Sequence, residues 1–394
     1  MDTTKPLALL GNLSAQTFMK RHWQKKPLLI RQAIPGFAPL LARSALFELA
    51  GQEGVESRLV TQQVPRHTRR DAVKRAKSAG AKSAAWSLQS GPFSKRALPS
   101  LKTPAWTLLV QGVDLHVQAL RDLMDQFRFV PDARLDDVMI SFATEGGGVG
   151  PHFDSYDVFL LQAHGRRRWH IGRQKDLSLQ AGAPLKILQH FEPEQCFDLE
   201  PGDMLYLPPK WAHDGVALDE CMTYSIGFRA PGKAELAQEL LQRLADEALE
   251  ELGAALYKDG GQGAATAPGE IPPGLLSFAQ QAAQEAVKNP QTLARALGEM
   301  LTEPKPNVWF DGAESQGGQN LKRGVALDRR SKMVFDAQHI FINGESFAAS
   351  GRDAQLMRQL ANERALAGAS CAKASAGAKS LLQDWMQAGW LHGL

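Results

Sequence analysis

The chain has 394 residues, a formal net charge of +3 at pH 7, and 44% hydrophobic and 22% charged residues. This composition is typical of a globular protein of two or three domains and excludes a collagen-like or intrinsically disordered chain. No apolar run approaches the roughly 18 residues of a membrane-spanning helix, and the N-terminus has no export signal, so we expect a cytoplasmic protein without a membrane partner. The three cysteines are too few and too widely spaced for a disulfide framework or a zinc site.

The first part of the chain predicts a helix and then a series of short strands. Ser14 can cap a helix that ends before Pro27. Short apolar segments at residues 106–113 and 137–143, and others up to residue 228, are separated by Gly, Pro and Asp turns. The pattern predicts a β-barrel or double β-sheet with helices in front of it.

A basic arm lies within this region, at residues 66–82. It carries seven basic residues and a single acidic one, Asp71. One interpretation is a solvated loop, and the other is a contact with a polyanion such as ribosomal RNA.

The composition changes after Pro231. Residues 233–256 and 275–301 have the spacing of helices, with a Gly- and Pro-rich connection between them. These helices carry more apolar residues than a linker requires, which predicts a homodimer formed through them. Two strand-like and two helical pieces follow Pro304, and they predict a small domain of winged-helix type.

The residues with the clearest chemistry are His152, Asp154 and His213. The first two form an H-x-D pair beside a Gly-rich turn, and His213 follows a short strand that ends at a Pro-Pro step. Two imidazoles and one carboxylate on one face of an octahedral ion leave three positions open, as in non-haem Fe(II) oxygenases. We therefore predict a metal site at these three residues.

A second element of the predicted site is a buried arginine. Strand alternation places Arg167 in the same row as Trp169 and Ile171, the more apolar face of its strand. An inward guanidinium is costly unless it is paired, and it suits a bidentate carboxylate such as the distal carboxylate of 2-oxoglutarate. Ser141 and Thr223, on other predicted strands, are candidates for further hydroxyl contacts with this co-substrate. An internal salt bridge of Arg167, and plain strand positions for the two hydroxyls, are the alternatives.

Several motifs resemble the JmjC family of Fe(II)- and 2-oxoglutarate-dependent oxygenases, which use dioxygen. Within it the closer resemblance is to bacterial ribosomal oxygenases that hydroxylate an arginine of large-subunit ribosomal protein sixteen. The matching stretches are WQKKPLLIRQA, GGGVGPHFDSYDVFLLQ, GRRRWHIG, LEPGDMLYLPP and YSIGFRAP. The resemblance implies a double-stranded β-helix (jelly-roll, α+β) with iron at His152, Asp154 and His213, and 2-oxoglutarate at Arg167 with Ser141 as an accessory contact.

The resemblance also implies a domain organisation. We expect an oxygenase domain at residues 1–232, a helical dimerisation segment at 233–303 and a winged-helix-like domain at 304–394. The basic arm does not follow the family pattern, so its role is not implied.

The leading functional hypothesis is hydroxylation of an arginine β-carbon in a large-subunit ribosomal protein. For that substrate we expect a guanidinium acceptor, and Asp157, with Tyr156 beside it, is the candidate; a structural role at the strand end is the alternative. Hydroxylation of a ribosomal histidine and demethylation use the same chemistry on other targets. A non-catalytic, ribosome-binding cupin protein remains a third hypothesis.

Overall fold

The computed structural model describes residues 2–63, 85–312 and 321–394. The predicted basic arm at residues 66–82 lies outside these ranges. The chain divides into two compact units, Met1–Ala230 and Pro231–Leu394.

The first unit is mainly β-structure. Its described strands are β1 (Pro6–Leu7), β2 (Leu13–Ser14), β3 (Leu28–Ile30), β4 (Ser57–Gln63), β5 (Ala85–Ser90), β6 (Trp106–Val110), β7 (Leu135–Ala143), β8 (Val158–His164), β9 (Arg167–Gly172), β10 (Gln195–Leu199), β11 (Met204–Leu207), β12 (Ala212–Ala217) and β13 (Cys221–Phe228). Its described helices are α1 (Ala15–Arg21), α2 (Arg43–Leu49) and α3 (Gln118–Asp125). As predicted, Ser14 caps α1, since its hydroxyl accepts a hydrogen bond from the Thr17 N–H.

A large antiparallel sheet and a small one form the body of this unit. The large sheet has the order β3-β11-β8-β13-β7-β6-β4-β5, and the small sheet has the order β10-β9-β12. Their inner faces pack together, because Leu160 and Leu205 of the large sheet share one apolar cluster with Trp169, Ile171 and Leu199 of the small sheet. The result is the double-sheet architecture that the sequence pattern predicts.

The opposite face of the large sheet packs on the N-terminal helices. Phe18 of α1 contacts Phe159 and Tyr206, with ring centroids 5.4 Å and 4.9 Å apart. Along β7 the side chains alternate, so that Val138, Ile140 and Phe142 belong to this apolar layer. The intervening residues of β7 therefore face the space between the sheets, where polar groups collect.

The second unit begins with α4 (Lys233–Leu252), α5 (Pro273–Ala286) and α6 (Pro290–Thr302). The continuous helix expected at 275–301 is therefore wrong: it is interrupted at Asn289, whose side chain caps α6 and accepts from the Gln291 N–H. Pro290 explains the break, because a proline has no N–H and suits the first position of a new helix.

The rest of this unit mixes strands and helices. They are β14 (Gly324–Leu327), β15 (Met333–Phe335), β16 (His339–Ile342), β17 (Glu345–Ala348), α7 (Gly351–Glu363), β18 (Ala365–Ala367), α8 (Gly368–Ala372), α9 (Ala376–Gln387) and β19 (Leu391–Gly393). Asn343 and Gly344 form the turn that joins β16 to β17. Helix α6 packs against β15, β16 and β17. No helix in the described ranges is both long and apolar enough to cross a membrane.

Candidate metal and co-substrate site

The three predicted metal ligands converge at one end of the double sheet. His213 lies on β12, and it forms an isolated antiparallel bridge with His152: each residue's N–H donates to the other's carbonyl oxygen, at 2.8 and 2.9 Å. Asp154 is tied to the same end, since its carbonyl oxygen accepts from the Lys210 N–H at 2.7 Å. Backbone hydrogen bonds thus hold all three residues in place.

The geometry of the side chains suits a metal ion. One potential ligand atom from each of His152, Asp154 and His213 lies within 4.8 Å of the others. The Nδ1 atom of His152 is 2.8 Å from the Gly150 carbonyl oxygen, and that of His213 is 3.0 Å from the Trp211 carbonyl oxygen. Because a carbonyl only accepts, each Nδ1 carries the proton, and each Nε2 lone pair is left for a metal.

The electrostatics agree with this assignment. Burial lowers the pKa of His213 to about 4, and the neighbouring imidazole of His152 acts in the same direction, whereas the negative charge of Asp154 opposes it. His213 is therefore neutral near pH 7, which is the form that binds a metal. His164 and His170 are not part of the cluster. His170 lies opposite Asp214 in the small sheet, on the row that alternates with Arg167 and Trp169.

Arg167 lies at the other end of the space between the sheets. It is 4% exposed, and its Nη1 donates to the Ser141 hydroxyl oxygen at 2.9 Å. Its Nε and Nη2 are buried and have no hydrogen-bond partner among the described residues. A buried guanidinium with two unused donors is matched to a bound carboxylate, and the predicted alternative, an internal salt bridge, is not formed among those residues.

The other predicted hydroxyl, Thr223, lies beside Ser141. The two residues are opposite each other on β13 and β7. The Thr223 hydroxyl donates to Gln162 Oε1 at 2.9 Å, and the Gln162 amide donates to the carbonyl oxygens of His164 and Gly165. Sequence reasoning missed this fully buried glutamine, because one polar residue at the end of an apolar strand gives no distinct signal.

Strand register orders these groups by depth. In the small sheet, Arg167 pairs with Ala217, and Ile171 pairs with His213 four residues further along β9. In the large sheet, Asp137 lies four residues before Ser141 on β7, so both side chains are on the same face. Since Arg167 contacts Ser141, the two form the inner end of the site, and the metal ligand His213 lies at its opposite end.

Asp157 is fully buried and already has internal partners. Its carboxylate accepts hydrogen bonds from Tyr206 at 2.6 Å, Gln24 at 3.3 Å and Arg134 at 3.4 Å. Burial raises the pKa of Asp157, although these hydrogen bonds oppose the shift. The contacts favour the structural alternative over the predicted substrate contact, which stays a prediction.

Tyr156 stands in a different environment. It is 39% exposed and lies near three carboxylates. Its partial burial raises the pKa of its hydroxyl, and the negative charges of Asp154, Asp137 and Asp136 raise it further. Asp137 is on the inner face of β7, 5% exposed, with its Oδ2 accepting from the Gly112 N–H at 3.0 Å. Sequence reasoning missed Asp137, because the pair Asp136-Asp137 reads as an ordinary strand start.

Comparison with known proteins agrees with this geometry. Residues 122–236 match the model of the JmjC domain, and residues 280–392 match that of a ROXA-like winged helix. These matches confirm the predicted fold class. The boundaries at 232 and 303 stay predictions.

Among curated proteins, the chain is 32% identical to the ribosomal protein uL16 3-hydroxylase of Escherichia coli strain K12, with 86% of each chain covered. It is 35% identical to a probable ribosomal oxygenase of Haemophilus influenzae over 57% of this chain and 52% of that protein. Among solved structures, E. coli YcfD has a TM-score of 0.80 at 30% identity, covering 96% of this chain and 97% of its own. YcfD in complex with cobalt and 2-oxoglutarate has a TM-score of 0.78 at 29% identity, with 96% and 98% covered.

The first of these relatives is similar over most of both chains. The three potential metal ligands that lie together in the structure are those of the H-x-D motif and the later histidine. The chain therefore belongs to the JmjC-domain ribosomal oxygenases, and the resemblance seen in its sequence is confirmed.

Proposed function

We propose that this protein is an Fe(II)- and 2-oxoglutarate-dependent oxygenase that hydroxylates an arginine β-carbon of ribosomal protein uL16. The observation that carries the proposal is the pairing of the His152, Asp154 and His213 cluster with a buried Arg167 that keeps two unused donors. The similarity to a uL16 3-hydroxylase along most of both chains supports the substrate.

The position of each site residue indicates its role. His152, Asp154 and His213 would hold the metal, and Arg167 with Ser141 would bind the distal carboxylate of 2-oxoglutarate. When bound, the metal and 2-oxoglutarate supply the oxidising chemistry, in which decarboxylation to succinate is coupled to insertion of one oxygen atom from dioxygen into a C–H bond. The protein fixes the positions of both groups, and the apolar inner faces of the sheets exclude water around them.

A guanidinium substrate needs a carboxylate at the open end of the site. Asp137 meets this need, because it faces inward on β7 and its charge acts on the exposed Tyr156. Its second oxygen, Oδ1, lies near Gly227, since a Cβ atom there would be 3.4 Å from it. We assign Asp137 and Tyr156 to the substrate side chain.

A pair of matched variants distinguishes the two candidate carboxylates. Asp137→Asn should raise the KM for a uL16 peptide at least tenfold, since a charge-assisted hydrogen bond is lost. Asp157→Asn should lower thermal stability and leave that KM within about twofold. The opposite pattern would indicate that Asp157, and not Asp137, binds the substrate side chain.

The function itself is tested by mass spectrometry of uL16 incubated with the enzyme, iron and 2-oxoglutarate. We expect a gain of one oxygen atom on an arginine, and no gain with His152→Ala. Release of formaldehyde would indicate demethylation instead, and a gain on a histidine would indicate the other hydroxylase hypothesis. Unmodified uL16 together with no succinate formation would leave the non-catalytic, ribosome-binding hypothesis.

We also propose that the protein is a homodimer formed through α4 and α5. Apolar side chains lie exposed on and beside these helices, including Leu241 at 54%, Leu276 at 52% and Ile271 at 67%. Exposed apolar residues clustered in one region mark an interaction surface. Leu276→Glu should yield monomers in light scattering, whereas Leu179→Glu, an exposed leucine of the first unit, should not.

Two further proposals follow from the substrate. A ribosomal protein is modified where ribosomes are made, so we place the enzyme in the cytoplasm. The arm at residues 66–82 is proposed to contact ribosomal RNA, and unchanged ribosome association after neutralising its seven basic residues would contradict this.

A further inference from the structure

Trp169 occupies the middle of the site that the metal ligands and Arg167 delimit. It lies on β9 opposite Gly215 of β12, and its residue is 5% exposed. Its ring centroid is 5.8 Å from that of His213, and the Arg167 Cζ is 5.8 Å from the ring on its other side along the strand. The indole therefore lines the wall between the metal ligand and the carboxylate-binding arginine.

The position of the ring depends on a residue with no side chain. A Cβ atom at Gly215 would come within 2.6 Å of Trp169 Cζ3 and 2.7 Å of Cη2, closer than real Cβ contacts. The six-membered ring of Trp169 thus lies directly on the Gly215 backbone. Gly148 supports the same layer, because a Cβ there would be 2.6 Å from the Gly215 carbonyl oxygen.

The polar atom of this ring is unsatisfied. Trp169 Nε1 is buried and has no hydrogen-bond partner among the described residues, like Nε and Nη2 of the neighbouring Arg167. A buried N–H without an acceptor is destabilising, and such groups usually find a partner. Arg167 and Trp169, the residues that carry these unused donors, are neighbours on one strand face, and a single anionic ligand is a suitable acceptor for both.

We propose that Trp169 is a binding residue of the co-substrate pocket, donating its indole N–H to the 2-oxo dicarboxylate that Arg167 pairs with, and that Gly215 is the positioning residue for its ring. The inference rests on the proposed function for the identity of the ligand. It adds a donor and a steric constraint to the interactions of Arg167.

The direct test is the indole ¹H–¹⁵N spectrum of the full-length protein, labelled on its eight tryptophans. Zn²⁺ serves as a diamagnetic metal, and 2-oxoglutarate is then added. We expect the Trp169 signal, identified by its loss in Trp169→Phe, to move downfield, whereas the Trp385 signal stays unchanged. Trp385 is the matched control, since it is buried in the second unit with an equally unpartnered Nε1.

Variants extend the test to affinity, measured by calorimetry with Zn²⁺ present. Trp169→Phe should bind 2-oxoglutarate on the order of tenfold more weakly than the wild type, and Trp385→Phe should bind it equally well. Gly215→Ala should weaken binding in the wild-type background and much less in the Trp169→Phe background, because it acts through the ring. In turnover assays, Trp169→Phe should raise the KM for 2-oxoglutarate more than it lowers kcat.

Two outcomes would overturn the inference while the proposed function stands. One is a Trp169 signal that does not move although 2-oxoglutarate binds, and the other is undiminished affinity in folded Trp169→Phe. If the wild type itself fails to bind 2-oxoglutarate with metal, the proposed function fails first and this inference with it. If Trp169→Phe does not fold, the affinity of Gly215→Ala is the second measurement, and binding of 2-oxoglutarate as tight as in the wild type would overturn the inference.

Discussion

Arg167→Met separates binding of the co-substrate from stability of the fold. Among the described residues, the side chain of Arg167 makes one hydrogen bond, to Ser141, and has two buried donor atoms without a partner. Losing the bond costs about 1 kcal/mol, whereas removing two unsatisfied donors gains about 1–3 kcal/mol each, and an apolar side chain of similar length retains the packing. We therefore expect the unliganded variant to be at least as stable as the wild type, with a Tm equal or higher by a few degrees.

The same substitution should abolish tight binding of 2-oxoglutarate. Removal of a buried partner of a charge pair costs about 2–5 kcal/mol, so the Kd should rise on the order of 100-fold or more. Calorimetry with Zn²⁺ present and thermal unfolding by circular dichroism measure the two effects.

Arg121→Met is the matched control. Arg121 is also a buried arginine, at 6% exposed, and its Nε has no partner among the described residues, but its Nη2 forms a salt bridge with Asp125 at 2.7 Å within α3. Its loss should lower the Tm and leave the affinity for 2-oxoglutarate unchanged. An Arg167→Met protein as destabilised as Arg121→Met, with unaltered affinity, would refute the assignment of Arg167 to the co-substrate.

Three further predictions concern the metal, the pH dependence and the first helix. Asp154→Ala removes the anionic metal ligand. Loss of a residue that only hydrogen-bonds to a ligand weakens metal binding roughly 10–100-fold, so the affinity for Mn²⁺, measured by calorimetry, should fall by more than this. Unchanged affinity would contradict the assignment of Asp154 as a ligand. Burial acts to raise the pKa of Asp203, but hydrogen bonds from Gln32 and Arg31 outweigh it and lower the pKa. The stabilisation of the fold by ionised Asp203 is therefore complete above about pH 4 and is lost as the pH falls through the lowered pKa. The difference in Tm between the wild type and Asp203→Asn should accordingly become smaller in acid. Ser14→Ala should cost about 1 kcal/mol in denaturant unfolding without changing turnover.

The residues that sequence reasoning located share one property: their chemistry is rare for their setting. The H-x-D pair became a candidate only together with the later His213, and the structure brings these three side chains together. Arg167 became a candidate because a guanidinium in an apolar row is costly unless it is paired. The buried alternation on β9 follows the prediction, with Arg167, Trp169 and Ile171 inside. Strand β8 begins only at Val158, because the H-x-D segment leads into it through an irregular stretch.

The residues that it could not locate depend on pairing between distant strands. Asp157 and Asp137 are both acids on or next to predicted strands, and only the structure shows that Asp157 meets Tyr206 and Gln24, whereas Asp137 shares an environment with Tyr156. One position along a strand reverses the face, so an uncertainty of two residues in a strand boundary is enough to lose this distinction.

An unsatisfied buried donor is not by itself a sign of a site. Trp385 in the second unit has one as well, and it packs within the apolar core of that unit, whose described residues include no group of potential metal ligands. What distinguishes Arg167 and Trp169 is that they are neighbours on one strand face, with the guanidinium over the indole ring and the ring beside the metal ligand His213. Buried donors without a partner lower the stability of the fold. A ligand that accepts hydrogen bonds from them restores that stability. It follows that 2-oxoglutarate with metal should raise the Tm of the wild type markedly more than that of Arg167→Met, since only a ligand that engages these donors is linked to folding through them.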